Sequence, residues 1–418
     1  MRFIVLFSIF IGTIQFSTAQ GKVENATNHS NSNAAPTLFE MNTITNSNSS
    51  DPSIQDSVQF NSNDDDGYLE SDKNQELKKV KTKKQQVPAS ASKDKISTEK
   101  KEESVSAMDA LNQNFSVVYD ETRIQGNQRN PTIEQQEKLN QTLKSAQAID
   151  STSFDYHMMK VKAGNYDVKN QYHLNKANEF NTTHPDLQKQ LLAYYVITTD
   201  TLKIQSTLEN QVKNNQIVPE FIDYAADLLH SSPQNSTLIT HSFDDTYSVL
   251  FHQLNLDERK DVTIINLDFC QSKEYRESLL KKGYQLNYTG TIDTKFLADL
   301  VTLNPSKKIA LSMTLPKDYF LNQSQTLEIC GLVFIPSNGE NRESVNQMLW
   351  ENQLTKKVLD SKTELGNRLS KNYLPLLLEL RQLYQSKNLW EKKREVEDWI
   401  TKIGKKTNVS DQLKQLKE

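Results

Sequence analysis

The residues of this chain whose types and spacing could do chemistry lie in one stretch, HSFDDTYSVLFH, from His241 to His252. Asp244 and Asp245 stand where a short apolar run, Thr237–Thr240, gives way to helical spacing. Carboxylates at the C-terminal end of a parallel strand can hold a metal or a sugar hydroxyl, because open α/β sheets bind ligands at that edge. Carboxylates in the first turn of a helix have a plainer use. They accept orphan backbone N–H groups and suit the positive end of the helix dipole. The second role is the expected one, so losing Asp245 should cost about 0.5–2 kcal/mol as a cap. His241, Asp244, Asp245 and Thr246 are the ligand-binding candidates if the edge is a site. A metal held by His241, Asp245 and His252 is not expected, since their spacing fits no ligand motif.

The rest of the chain supplies no alternative chemistry. It contains no Gly-x-Ser-x-Gly elbow, no His-Glu-x-x-His, no phosphate-binding loop ending in Gly-Lys and no Cys-x-x-Cys. No catalytic residue and no cofactor is therefore assigned. Cys270 without a pattern-matched histidine is a poor nucleophile candidate. Only 11 of 418 residues are Gly, which disfavours Gly-rich phosphate cradles and many-hairpin β folds and favours helix. Lys and Arg (49) nearly balance Asp and Glu (53), so nothing predicts attraction to nucleic acid or to an anionic membrane.

These candidates need elements to position them, and the pattern along the chain supplies five segments. Residues 1–19 read as a signal peptide. Arg2 is followed by an apolar run from Phe3 to Ile14, and Ser17-Thr18-Ala19 before Gln20 is a small-x-small cleavage site. The run is shorter than the ~20 residues that span a bilayer, and no later stretch is apolar enough to span. The mature chain is expected to be exported, periplasmic or secreted. An oxidising compartment permits a Cys270–Cys330 disulfide, worth up to ~4 kcal/mol for so long a loop. The alternative is two small buried hydrophobes.

Residues 20–105 are Asn/Ser/Asp-rich, then Lys/Glu/Gln-rich, and too poor in apolar residues to offset the cost of ordering. They are expected to form a disordered linker. Residues 106–231 show helical spacing broken by short polar turns, as in stacked helix pairs of a repeat domain. Predicted helices there include Phe154–Lys162, Asn165–Asn181, Asp186–Thr199, Thr201–Lys213 and Pro219–Leu229. Residues 232–338 alternate short β-branched runs with helices, which implies parallel βαβ units. The strands are Thr237–Thr240, Val262–Leu267, Ile309–Leu315 and Ile329–Ile335, the last one antiparallel. Leu238-Ile239 should pair in parallel with Ile264-Ile265. Residues 339–418 return to helix, and NYLPLLLELRQLYQSKNLWEKKREVEDWITKIG resembles a tetratricopeptide helix pair. Trp350, Trp390 and Trp399 fall in these helices as core residues, one of which could line a groove for a partner. The fold class is α/β plus all-α, a small mostly parallel sheet flanked by tetratricopeptide-like helices.

Five motifs in order resemble one family. These are NSTLITHSFDDTYSVLF, KDVTIINLDF, KKIALSMTLPKDYF, LEICGLVFIPS and NYLPLLLELRQLY. They look like the soluble C-terminal region of large bacterial membrane proteins similar to protein O-mannosyltransferases, a domain of unknown function. In that family the turn reads Gly-Asp-Asn-Asp-Thr. Here Ser242 and Phe243 replace its Gly and first Asp, while Asp244, Asp245 and Thr246 remain. The multi-span part that would carry glycosyltransferase-like chemistry is absent from this sequence. The resemblance implies a fold and an envelope setting, not an activity. The function expected is a non-catalytic envelope interaction protein that meets a protein partner through its helices. The alternative is a glycan-related accessory protein or enzyme with its ligand at the Asp244-Asp245 edge.

Overall fold

A computed structural model describes residues 94–124, 128–339, 341–410 and 413. The expected leader and most of the expected linker lie outside these residues. The first helix of the described residues, α1 (Asp94–Ile124), begins inside the stretch expected to be without structure. The reason is legible in DKISTEKKEESVSA: Lys, Glu and Ser lack apolar bulk but, apart from Ser, are good helix formers.

The N-terminal helices make two small cores that share one helix. Helices α1, α2 (Ile133–Asp150) and α3 (Phe154–Ala163) bury Phe115, Leu139, Leu143, Tyr156 and Met159 between them. On its other side α3 offers Met158 and Val161 to Leu174 of α4 (Gln171–Phe180) and Leu187 and Leu191 of α5 (Pro185–Ile197). Local signals set the boundaries. Thr132 and Gln135 form a reciprocal capping box on α2, and Ser153 caps α3. Pro185 opens α5, where its missing N–H costs nothing. The expected helix from Asn165 to Asn181 starts only at Gln171, because Asn165 and Tyr166 both take positive φ (49° and 65°) in a turn.

Helices α6 (Thr201–Lys213) and α7 (Pro219–Ser231) lead into the sheet. Strand β1 (Thr237–Thr240) is followed by α8 (Phe243–Asn255), β2 (Thr263–Asn266), α9 (Lys273–Lys281), α10 (Thr294–Leu303) and β3 (Ile309–Ser312). A short helix, α11 (Lys317–Leu321), precedes β4 (Leu327–Cys330) and β5 (Val333–Pro336). The strand order is β2-β1-β3-β5-β4. Strands β2, β1 and β3 run parallel, with Leu238 opposite Ile264 and Ile239 opposite Ile265, as expected. Every residue of β1 and β3 is buried, as continuous apolar strands covered on both faces must be.

The run Ile329–Ile335 is not one strand but the middle of a hairpin. Gly331 and Leu332 form its two-residue turn, and Gly331 sits at φ 60°. A Cβ at Gly331 would lie 2.2 Å from Ser231 Oγ, so the position requires glycine twice over, for conformation and for space. Continuous apolar residues on both sides of the glycine hid the reversal.

Helix α12 (Glu343–Met348) passes into a π-helical turn, Leu349–Gln353, that buries Trp350. Helices α13 (Glu364–Ser370), α14 (Leu374–Ser386) and α15 (Trp390–Lys406) follow, the last two joined by the short turn at Lys387–Leu389. The sheet, α5–α8 and α13–α15 share one continuous apolar core. The helices are not copies of one unit, since those described run from 5 to 31 residues and α3 serves two cores. The architecture is a helix-rich α/β protein around a five-stranded mixed sheet. Among the described residues no helix is long and apolar enough to cross a membrane.

Candidate functional site

The C-terminal ends of the three parallel strands carry Thr240, Asn266 and Ser312, all buried, and the acidic turn meets them there. Ser242 is the N-cap of α8 and Asp245 its third residue, so the two form a reciprocal capping box. The Ser242 backbone N–H and hydroxyl both donate to Asp245 Oδ1, at 3.1 and 2.7 Å. Thr314, two residues past β3, donates to Asp245 Oδ2 at 2.7 Å. Asp245 is 2% exposed. Both of its oxygens are thus engaged by the fold, and it ties the β1–α8 connection to the loop after β3.

Around it runs a second polar layer. Asn266 Nδ2 donates to Thr246 Oγ1 (2.7 Å) and to the Ser242 carbonyl (3.0 Å), and Thr246 Oγ1 lies 2.7 Å from Thr240 Oγ1. His241 Nδ1 is 3.7 Å from Asp245 Oδ2, too far for a hydrogen bond, and has no other hydrogen-bond partner although the ring is buried. Burial pushes the Asp245 carboxyl upward. His241, Thr314 and Ser242 together outweigh that push and hold it below the ordinary carboxylate value.

The structure therefore brings His241, Asp245 and Thr246 together and turns Asp244 aside. Asp244 faces Lys189 of α5, whose Nζ is 3.5 Å away. Burial raises its carboxyl above the usual value despite the lysine. His252 is buried elsewhere, with Nδ1 on Glu258 and Nε2 on the Ile222 carbonyl, both at 2.8 Å. Among the described residues no group of three or more His, Cys, Asp or Glu is placed to hold a metal.

Cys270 and Cys330 are both buried and free. Cys270 follows β2 and Cys330 ends β4, the two outer strands of the sheet. Four strand spacings of ~4.8 Å separate those edges by about 19 Å, far beyond the reach of one disulfide. The permitted disulfide is thus replaced by the alternative. Burial pushes the Cys330 thiol up to about 11 and the Cys270 thiol higher still, as suits inert core thiols.

Asn266, Thr314 and Ser312 are the residues of this edge that the motifs did not single out. Their signal was a polar residue closing or following each apolar strand. A separate cleft of about 260 Å³ lies away from this edge, between β4, α12 and α14. Compared with protein-family models, curated proteins and solved structures, the chain finds no match.

The capping geometry gives a first prediction. Asp245→Ala should cost ~2–4 kcal/mol in urea unfolding, above the 0.5–2 expected of a cap alone, because two hydroxyls and a backbone N–H lose a charged acceptor. Asp245→Asn keeps the Oδ1 acceptor and should cost about half as much. With its folded pKa depressed, Asp245 stabilises the fold above its unfolded value of ~3.9, and that contribution is lost as pH falls through the folded value. Wild type should therefore lose more stability than Asp245→Asn between about pH 5 and pH 3. Parallel acid profiles for the two proteins would contradict this.

Proposed function

We propose that this chain is an exported interaction protein of the cell envelope whose acidic turn holds the fold together and turns over no substrate. What supports this reading most is the engagement of both Asp245 oxygens by Ser242 and Thr314. With two donors on Oδ1 and one on Oδ2, the fold itself takes most of the carboxylate's acceptor capacity. The substitution of the family's first turn Asp by Phe243 points the same way. Phe243 is buried and stacks on Tyr247 with centroids 5.3 Å apart. A polar position of the resembled turn has become part of the core.

The interaction surface in this reading is the tetratricopeptide-like pair α14–α15. Its inner side is apolar and buried (Leu376, Leu380, Tyr384, Val396, Ile400), while Trp390 at its turn is 55% exposed. An indole half in water is the kind of anchor that protein interfaces use. A second reading places a glycan or other ligand at the Asp244-Asp245 edge. The observation in its favour is His241 Nδ1, buried and without a hydrogen-bond partner beside Asp245.

Two measurements test the proposal in a bacterial host. The periplasmic or secreted fraction should contain a chain whose mass begins at Gln20; a chain retained uncleaved in the cytoplasm overturns export. A photo-crosslinking residue at position 390 should give a discrete protein adduct. No adduct at 390, together with an adduct at position 244 that free oligosaccharide suppresses, would instead establish the second reading.

A further inference from the structure

The cleft beside β4 lies apart from the acidic turn, and its lining is chemically specific. Among the described residues strand β4 is an outer strand, paired only with β5. Its free edge is closed by one side chain. Asn346 Nδ2 donates to the Ile329 carbonyl at 3.0 Å, and Asn346 Oδ1 accepts from the Gly331 N–H at 2.9 Å. The same Nδ2 donates to Glu379 Oε2 of α14 at 2.8 Å. Asn346 is 1% exposed, so the wall it builds between β4 and α14 is fixed. Above that wall the cleft opens to solvent with a volume of about 260 Å³.

Three carboxylates line it, from Glu328, Glu343 and Glu379, against one guanidinium, from Arg342. Glu328 Oε2 accepts no hydrogen bond, and its ion-pair contact, Arg342 Nε, is 3.7 Å away. Arg342 Nη2 is drawn off to Asn338 Oδ1 at 3.0 Å. The cleft thus holds an excess of negative charge over apolar walls supplied by Ile329, Leu380 and Leu383. A compact metal ion does not suit it, since among the described residues no three such ligands converge.

The geometry points to a binding site for an aliphatic ammonium group, with Glu379 as its counter-ion and the apolar wall covering its methylene stem. Carboxylates with a neighbouring apolar wall match a charge carried on a hydrocarbon chain. Two sources carry that chemistry, a free diamine and the side chain of a lysine on a protein partner. The second would join this site to the proposed interaction surface; the first stands without it. Burial pushes the Glu379 carboxyl up to about 7, with Glu328 and Glu343 adding to the push and Asn346 opposing it. An entering cation therefore expels a proton from Glu379 near neutral pH.

Calorimetry on the full chain at pH 7 tests this with two probes, 1,5-diaminopentane and N-acetyl-lysine methylamide. Saturable binding of the diamine alone assigns a free amine; binding of the lysine analogue assigns a side chain. Either should release a fraction of a proton, read from titrations in two buffers of different ionisation enthalpy. Glu379→Gln, which keeps an acceptor for Asn346, should weaken binding at least tenfold and abolish the proton release. Glu343→Gln, an exposed change, should weaken it less, and Arg342→Gln should strengthen it by removing the competing cation. No saturable binding of either probe, or a Glu379→Gln chain that binds as wild type does, overturns the proposal.

Discussion

Asp227→Ala is expected to destabilise the chain by about 3–5 kcal/mol, enough to unfold a large fraction of it at moderate urea. Asp227 lies in α7 and is wholly buried. Its Oδ1 accepts from the Thr355 backbone N–H at 2.5 Å. Its Oδ2 accepts from the Lys356 N–H at 2.9 Å and the Tyr373 hydroxyl at 2.6 Å. One carboxylate thus anchors the turn after the π-helical segment, where Lys356 takes φ 60°, and the start of α14. Removing it takes the acceptor from two backbone N–H groups of a partly buried turn and from the buried Tyr373 hydroxyl. Each stranded group costs ~1–3 kcal/mol, and the turn relaxes to recover part of the sum. Asp227→Asn should cost less, because Oδ1 survives. Tyr373→Phe should cost only ~1–2 kcal/mol, since Asp227 keeps both backbone donors. Urea midpoints with unchanged m-values would report this order. A Tyr373→Phe chain as unstable as Asp227→Ala would place the energy in the tyrosine and not in the turn.

The legibility of the fold follows the range of the interaction that sets each part. Strand β1, its parallel partner β2 and helix α6 were readable because their signals are local. An unbroken apolar run means a strand covered on both faces, and a capped periodic run means a helix. The hairpin at Gly331 was not readable as such, because its turn is two residues long and flanked on both sides by apolar residues. The glycine there answers to Ser231, one hundred residues away, and no local pattern records that contact. The acidic turn was legible as a cap and as the end of β1. Its reach to Thr314 was not, since the link spans 69 residues. The cleft is the extreme case: Glu328, Asn346 and Glu379 come from three separate elements and share no motif. Asp227 was hidden for the same reason, since a lone Asp in an amphipathic helix normally points to water.

Asp268→Ala should be the other large loss, ~3–5 kcal/mol, and it tests how the N-terminal helices are joined to the sheet. Asp268 follows β2 and is 3% exposed; Arg129, just ahead of α2, is 6% exposed. Arg129 Nε donates to Asp268 Oδ1, and Nη2 lies 3.4 Å from Oδ2. The backbone around the arginine supports the junction. The Arg129 N–H donates to the Ile292 carbonyl, and the Ile292 N–H to Asn130 Oδ1, both at 2.6 Å. Gln128 pairs with Asp293 in a single antiparallel bridge. A guanidinium held in that position without its carboxylate is a buried charge lacking its counter-ion, which is the costly state. Whether the pair itself adds stability is a separate question, because both ions were dehydrated to form it. The expected answer is that it adds little. Arg129→Met combined with Asp268→Leu should recover most of what Asp268→Ala loses, since apolar groups of similar volume need no partner there. Urea midpoints of the single and double variants measure the difference. If the double variant is as unstable as the single one, the ion pair contributes net attraction at this junction and the desolvation argument is wrong.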